Sequence, residues 1–208
     1  MASNPKLRLS VGAALKQARG WVRQFTPEAI LEINIYLEAI AVAVERVIFK
    51  TLQQERKKSF QESMFLAAVA RTASSQAVPL SIFNKFVYQK HNGKKDCINI
   101  KNNGVALIND LARLYALSAG ITIPGTVDRL NILGEIGTIN KQDADNLRDI
   151  WLFLNRLRWR HQLRNNATDN IISISDLSSI ERHQLKAAFK SIQRAQDVAV
   201  NRFSGGLS

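Results

Sequence analysis

One cysteine in 208 residues removes most of the covalent and metal chemistry a chain of this length can carry. Cys97 has no second thiol to pair with, so an internal disulfide is excluded and a cysteine-based metal site is implausible. A reducing compartment fits that usage, and we expect a cytoplasmic protein. Long apolar runs are missing too. The most apolar stretch, residues 39–44, falls far below the ~20 residues of a membrane span, and Met1-Ala2-Ser3-Asn4-Pro5 has no apolar core of a secretory signal. No internal repeat and no low-complexity segment is present.

Acidic residues are scarce in places. The first 25 residues contain none, against Lys6, Arg8, Lys16, Arg19 and Arg23, and Arg56-Lys57-Lys58 forms a second basic run. The formal net charge is +12. Such a balance suits an anionic partner as well as a merely solvated surface, and both readings stay open. An aromatic-interleaved basic motif is absent, so nucleic acid is suggested by charge alone.

The densest feature present is residues 154–164. It packs Arg156, Arg158, Arg160 and Arg164 with His161 and Gln162 into one expected helix. Ile150, Leu154, Leu157 and His161 recur at helical spacing, so the histidine sits in an apolar stripe. Leu152, Trp159 and Leu163 form a second apolar line on the opposite side. A helix apolar on two sides is expected to be packed on two sides, and charges inside must be paired or used. A pKa near neutrality would suit His161 for general-base work. A histidine in an apolar stripe is more often a satisfied core group, which is the reading adopted here. Arg158 is expected to pair with Asp110, Asp128 or Asp169, and Asn170 to fix the turn before the last helix. Trp21, Trp151 and Trp159 read as core or interface residues.

Helical periodicity also covers residues 9–25, 44–55 and 60–73, and everything from Asn103 onward. Residues 30–44 are ambiguous between strand and helix, His91-Asn92-Gly93-Lys94-Lys95 reads as an exposed turn, and residues 97–100 suit a short strand. Residues 74–79 form a polar connection. Thr126, Asn140 and the Ser178/Glu181 capping box mark helix starts, and Gly120 a helix stop. Gln196 sits in the apolar stripe of the last helix as His161 does in its own. The fold class expected is mostly α, a helical bundle with a short strand or two in the N-terminal half.

An ordered set of motifs carries a family resemblance. It runs Lys101-x-x-Gly104, Leu111-Ala112-Arg113-Leu114-Tyr115-Ala116-Leu117 and Thr126-Val127-Asp128-Arg129-Leu130. It continues as Leu157-Arg158-Trp159-Arg160-His161-Gln162, Asp169-Asn170, Leu177-Ser178, Glu181-Arg182 and Leu185-Lys186-x-x-Phe189. Over residues 60–203 the chain resembles the substrate-binding domain of signal-transduction nucleotidyltransferases related to the PII-protein uridylyltransferase. In that family the domain commonly follows cyclic-nucleotide-binding or CBS modules and a polymerase-β-like nucleotidyltransferase domain. The N-terminal part, with Met1-Ala2-Ser3-Asn4-Pro5-Lys6, Trp21 and residues 33–45, is similar to the closing segment of that catalytic domain. The resemblance aligns Glu38 with an acidic strand residue, while Ile40 and Val44 replace the arginine and glycine that follow it.

The resemblance implies residues 1–58 as a nucleotidyltransferase remnant and residues 59–208 as a helical substrate-binding domain. It also implies Mg²⁺ and a nucleoside triphosphate for an intact enzyme only, with a protein acceptor or upstream nucleotidyltransferase and CBS domains as partners. No cofactor is expected in this chain. Catalysis would need a Gly-Ser turn and an Asp-x-Asp pair on a strand. The sole Asp-x-Asp is Asp143-x-Asp145, at an expected helix start that favours acids by its dipole. The chain is therefore expected to be inactive alone, with Glu38 at most a remnant third carboxylate. Lys101, Arg113 and Arg129 are the anion- or substrate-binding candidates. Arg158, His161, Gln162, Asp169, Asn170, Arg182 and Gln196 are candidates for a structural polar network. Two alternatives remain: a HEPN-like ribonuclease using the Arg156-x4-His161 spacing, and a basic helical nucleic-acid-binding module. An oligomer is compatible with either.

Overall fold

The computed structural model describes residues 9–24, 26, 28–29, 32–33 and 46–204. Glu38, Ile40 and Val44 lie outside the described residues, as does most of the ambiguous segment 30–44. Among the described residues the fold is mostly α, with seven α-helices and one small antiparallel sheet.

Helix α1 (Val11–Arg23) starts at Ser10, whose hydroxyl accepts the Ala13 N–H at 3.3 Å. Its Ala18 and Val22 are buried. Helix α2 (Arg46–Ser59) and helix α3 (Ser63–Ser75) meet at a corner filled by Phe60, whose ring lies 5.6 Å from that of Phe65. The boundary expected after residue 58 thus falls in the last turn of α2. Helix α3 has six consecutive buried residues, 65–70, mostly small, which lets it lie close against its neighbours.

Strands β1 (Gln89–His91) and β2 (Lys94–Asn99) form a hairpin. Its two-residue turn, Asn92-Gly93, has both residues at positive φ, +46° and +79°. That is the backbone a twisted two-residue hairpin requires, and asparagine and glycine tolerate it best. A third strand, β3 (Ile171–Ser173), pairs with β2 with Ile98 opposite Ile172. Sequence periodicity reads everything after Asn103 as helix, and β3 corrects that expectation. Three residues are too few to show a period of two.

A π-helical turn (Lys101–Val105) runs without a break into helix α4 (Ala106–Ser118). Helix α5 (Thr126–Glu135) follows, then the long helix α6 (Lys141–Asn165), a 3-10 turn (Ile174–Asp176), and helix α7 (Ser179–Ser204). Gly120, at φ +66°, ends α4 as expected. Asn140 caps α6 through the Gln142 N–H at 2.9 Å. Ser178 and Glu181 exchange bonds in a reciprocal capping box, Glu181 N–H to Ser178 Oγ and Ser178 N–H to Glu181 Oε2. Thr126 departs from expectation. The cap position is Gly125, and the Thr126 hydroxyl instead donates to Asn109 Oδ1 at 2.8 Å.

Two apolar clusters hold these elements together. One joins the sheet, α4, α6 and the first half of α7 through Ile98, Ile108, Leu154, Ile172 and Phe189. The other joins α1, α3, the opposite side of α4 and the end of α7 through Val22, Phe65, Leu111, Leu114 and Ala199. Helix α4 therefore contributes to both, with a polar edge left at Asn109, Asp110 and Arg113. The second line on α6 goes the other way. Leu152, Trp159 and Leu163 are 47%, 51% and 83% exposed, so α6 is packed on one side only.

Gly104 sits where the π-helical turn, α6 and α7 touch. A Cβ there would lie 2.8 Å from Leu154 Cδ1 and 3.5 Å from Phe189 Cε1. Both side chains are fully buried and have little room to give. Gly104→Ala is accordingly expected to lower unfolding free energy by about 1–3 kcal/mol, read from urea denaturation. Glu181 sets a second expectation. Arg160 bonds its carboxylate and, with some opposition from burial and further help from Ser178, holds its pKa down to about 2, from an ordinary 4.5. A depressed folded pKa contributes stability that is complete above the unfolded value. That contribution is lost as pH falls from about 4.5 towards 2. Because the pair is partly solvated, the loss is expected to be about 1 kcal/mol, and Glu181→Gln should remove it from the acid limb of stability against pH.

Candidate binding site

The end of α6, the loop after it and the β1–β2 hairpin enclose an open cavity of about 280 Å³. His161 enters from α6, His91 from the last residue of β1, and Asp169 from the loop before β3. The two imidazoles converge on one carboxylate. His161 Nε2 lies 3.0 Å from Asp169 Oδ1, and His91 Nε2 lies 3.3 Å from Oδ2. The Ile171 N–H also donates to Oδ1 at 2.9 Å. That backbone bond is the main reason the Asp169 carboxyl is held below the usual carboxylate range; burial opposes it and the two histidines assist.

His161 is satisfied on both sides, with the Asn165 amide 3.0 Å from Nδ1. An amide N–H donated to Nδ1 leaves the proton on Nε2, facing the carboxylate. Gln162 donates to the Asp169 backbone carbonyl at 3.1 Å and reaches Asn170 Oδ1 at 3.4 Å. His161, Gln162, Asp169 and Asn170 thus come together at one junction. The turn before β3 is fixed by the Asp169 side chain through Ile171, whereas Asn170 contributes its backbone carbonyl to the Ile100 N–H. The cavity floor adds Lys94, paired to Asp176 at 2.7 Å. Beside Lys94 on β2, Asp96 accepts from the Ser173 hydroxyl and the Ser175 N–H, which lower its pKa. His91 and Lys94 flank the expected Asn-Gly turn. Their convergence on the α6 end was invisible in the sequence, because the partners lie 78 and 82 positions away.

The other network candidates lie elsewhere. Gln196 is buried on α7 and donates to the Ala73 and Gln76 carbonyls at 2.9 and 3.0 Å, closing the end of α3. Arg182 is exposed and makes no polar side-chain contact among the described residues. Arg158 pairs with none of the three expected acids. Asp110 is taken by Arg113 at 2.7 Å and Asp169 by the histidines. The Arg158 guanidinium instead lies 5.9 Å from the Trp159 ring centroid, and its Nε is buried without a hydrogen bond.

Lys101, Arg113 and Arg129 do not form one site. Lys101 and Arg113 are 12 positions apart on one continuous helical stretch, roughly 18 Å at 1.5 Å per residue. Gly104 between them is buried against α6 and α7, so no free helix start presents N–H groups there. Arg129 is 3% exposed and donates Nε–H to the Ile123 carbonyl at 2.9 Å, a structural tie. Asp110 beside Arg113 is pushed up by burial, which outweighs the guanidinium. The ribonuclease pairing also lacks geometry. Arg156 lies over the Phe153 ring on the exposed face, while His161 is turned to Asp169. Trp21 and Trp151 are half-buried, and Trp151 donates Nε1–H to Asn109 at 2.8 Å.

A metal-dependent nucleotidyl transfer finds no fit at the Asp-x-Asp. On a helix, residues two apart point about 200° from each other, and Asp145 is bound by Arg148 at 2.6 Å. Among the described residues no group of three or more His, Cys, Asp or Glu side chains could hold a metal ion. No described helix is long and apolar enough to cross a membrane.

No curated protein and no solved structure matches the chain. A family model does, over residues 63–203, from the first residue of α3 to the last turn of α7. The match covers more than half of the sequence and takes in the helices, the sheet and the His161–Asp169 junction alike. The chain therefore belongs to the family described as the putative nucleotidyltransferase substrate binding domain.

Proposed function

We propose that this chain is the substrate- or partner-binding regulatory part of a signal-transduction nucleotidyltransferase of the PII-uridylyltransferase-like kind. Its acceptor is a protein, and it does not catalyse transfer alone. The observation that carries the second half is the Asp143-x-Asp145 pair. Those carboxylates diverge near the start of α6, and one of them is already bound by an arginine. A metal-bound triphosphate needs two carboxylates on one side of a strand. Mg²⁺ and the nucleoside triphosphate thus belong to a catalytic domain that this one serves.

Within that reading the cavity at the end of α6 is the place for the acceptor. Its lining mixes apolar surface from Ala167 and Ile171 with polar groups of both charges, His91, Asn92, Lys94 and Asn165 beside Asp169 and Asp176. Such a lining suits side chains and backbone amides of a protein surface better than an apolar small molecule. Cytoplasmic residence, suggested by the lone cysteine, belongs to the same proposal.

The test is a labelling assay with Mg²⁺, an α-labelled nucleoside triphosphate and a PII-type protein as acceptor. The chain alone is expected to transfer nothing above background. Added to a polymerase-β-like nucleotidyltransferase domain of the same family, it is expected to raise acceptor labelling about tenfold by positioning the acceptor. Transfer by the chain alone, or no gain on adding it, would overturn the proposal.

A further inference from the structure

Tyr115 on α4 is buried, with 6% of its surface exposed, and Phe203 and Arg202 cover its ring. Its hydroxyl nevertheless has no hydrogen-bond partner among the described residues. A polar group in so buried a residue is ordinarily bonded. Burial pushes its pKa up, Arg202 opposes and the Asp143 carboxylate adds to the rise, so the hydroxyl keeps its proton and can donate. Tyr115 lines a cavity of about 90 Å³ between α4, the start of α6 and the middle of α7. Ile139, Leu147 and Ala195 give that cavity an apolar wall. Asp143 and Asn146 of α6 and Ser191 and Arg194 of α7 line it too. None of these four side chains has a hydrogen bond or ion pair among the described residues, so Asp143 and Arg194 meet one cavity without pairing with each other. Elsewhere on α6 the neighbouring acids are taken, Asp145 and Asp149 both by Arg148. The helix dipole accounts for an acid at Asp143. It does not account for a cation, three neutral polar groups and an apolar wall brought there from three helices.

We propose that this cavity binds a small zwitterion, an α-amino acid with a short branched apolar side chain. A few convergent polar groups over an apolar wall are the usual make-up of a small-molecule site. The volume sets the size of the apolar part. A cavity of about 150 Å³ holds benzene, so this one admits a smaller group of roughly three or four carbons. The two charged side chains set the rest of the ligand. Asp143 offers a carboxylate to an ammonium, and Arg194 offers paired N–H donors to a carboxylate. A ligand of one charge would leave one of the two unanswered. The Tyr115 hydroxyl supplies a further donor from within the cavity. This site goes beyond the proposed acceptor surface and does not depend on it: Asp143 and His161 lie 18 positions apart on α6, roughly 27 Å at 1.5 Å per residue.

The test is titration calorimetry of the full chain with L-leucine, beside isocaproate and isoamylamine, which each lack one of its charges. Leucine is expected to bind with a Kd below about 1 mM, and each analogue at least tenfold more weakly. Glycine leaves the cavity unfilled and should also lose at least tenfold. Asp143→Asn and Arg194→Gln are each expected to weaken leucine binding at least tenfold, and Tyr115→Phe by about threefold. Asp143 and Arg194 are exposed and the Tyr115 hydroxyl holds no other group in place, so melting followed by circular dichroism should not move. Arg164→Gln, an exposed change at the far end of α6, is the control and should bind leucine as the parent does. The proposal fails if leucine does not bind, or if either analogue binds as tightly as leucine. It fails equally if Asp143→Asn and Arg194→Gln bind leucine as the parent does. The comparison among the four ligands needs only the parent chain, so a variant that folds poorly leaves the test intact.

Discussion

Everything in this fold leans on the burial of helix α4. Ile108 and Ala112 face one apolar cluster while Leu111 and Leu114 face the other, and all four are fully buried. A helix shared by two cores keeps only a narrow polar edge, here Asn109 and the Asp110–Arg113 ion pair, in place of the polar face of an ordinary amphipathic helix. It must also start where two other helices already touch. The absence of a side chain at Gly104 is what allows the π-helical turn to approach Leu154 of α6 and Phe189 of α7 at once. Without that approach α6 and α7 would be held apart, and the sheet that packs on their shared cluster would lose its support.

Burial on that scale forces the polar groups into fixed roles. Gln196 and Arg129 lie inside and spend their N–H groups on backbone carbonyls that no helix or strand satisfies. Asn155, also buried, turns back on its own helix and donates to the Trp151 carbonyl at 3.0 Å. Asp169 does the same work at the rim, where one carboxylate joins α6, the hairpin and the start of β3. Removing Gln196 or Arg129 would strand its carbonyl partners in a low-dielectric surrounding, which costs more than the bonds themselves contribute. Polar residues in apolar stripes, such as His161 and Gln196, are therefore the joints between elements.

The helical class, the hairpin turn, the caps at Asn140 and Ser178 and the stop at Gly120 were legible because each rests on a local rule. A cap needs one side chain and one N–H a few residues on; a turn needs two permissive residues in a row. What the sequence did not reveal depends on distant partners. Strand β3 exists because β2 lies beside it, and Thr126 gives up a capping role because Asn109 offers an acceptor. Arg158 shows the limit from the other side. It was expected to pair with one of three acids, but Arg113 and the histidines hold two of them. The second apolar line of α6 misled for a related reason. Periodicity reports which residues share a face, not whether another element arrives to cover it.

The same distinction between local and assembled features governs the charge. On α6 two of the cations are neutralised by their own neighbourhood: Arg148 by Asp145 and Asp149, and Arg160 by Glu181. A dense arginine helix therefore presents less free charge than its composition suggests. The acid-free first 25 residues and the run at 56–58 look sparser, yet the packing of α1 on α2 brings Arg19, Arg23 and Lys58 to one cleft. Electrostatic potential depends on separation in space and on local neutralisation, not on density along the chain. The arginine–histidine helix accordingly serves as the strut that closes the bundle.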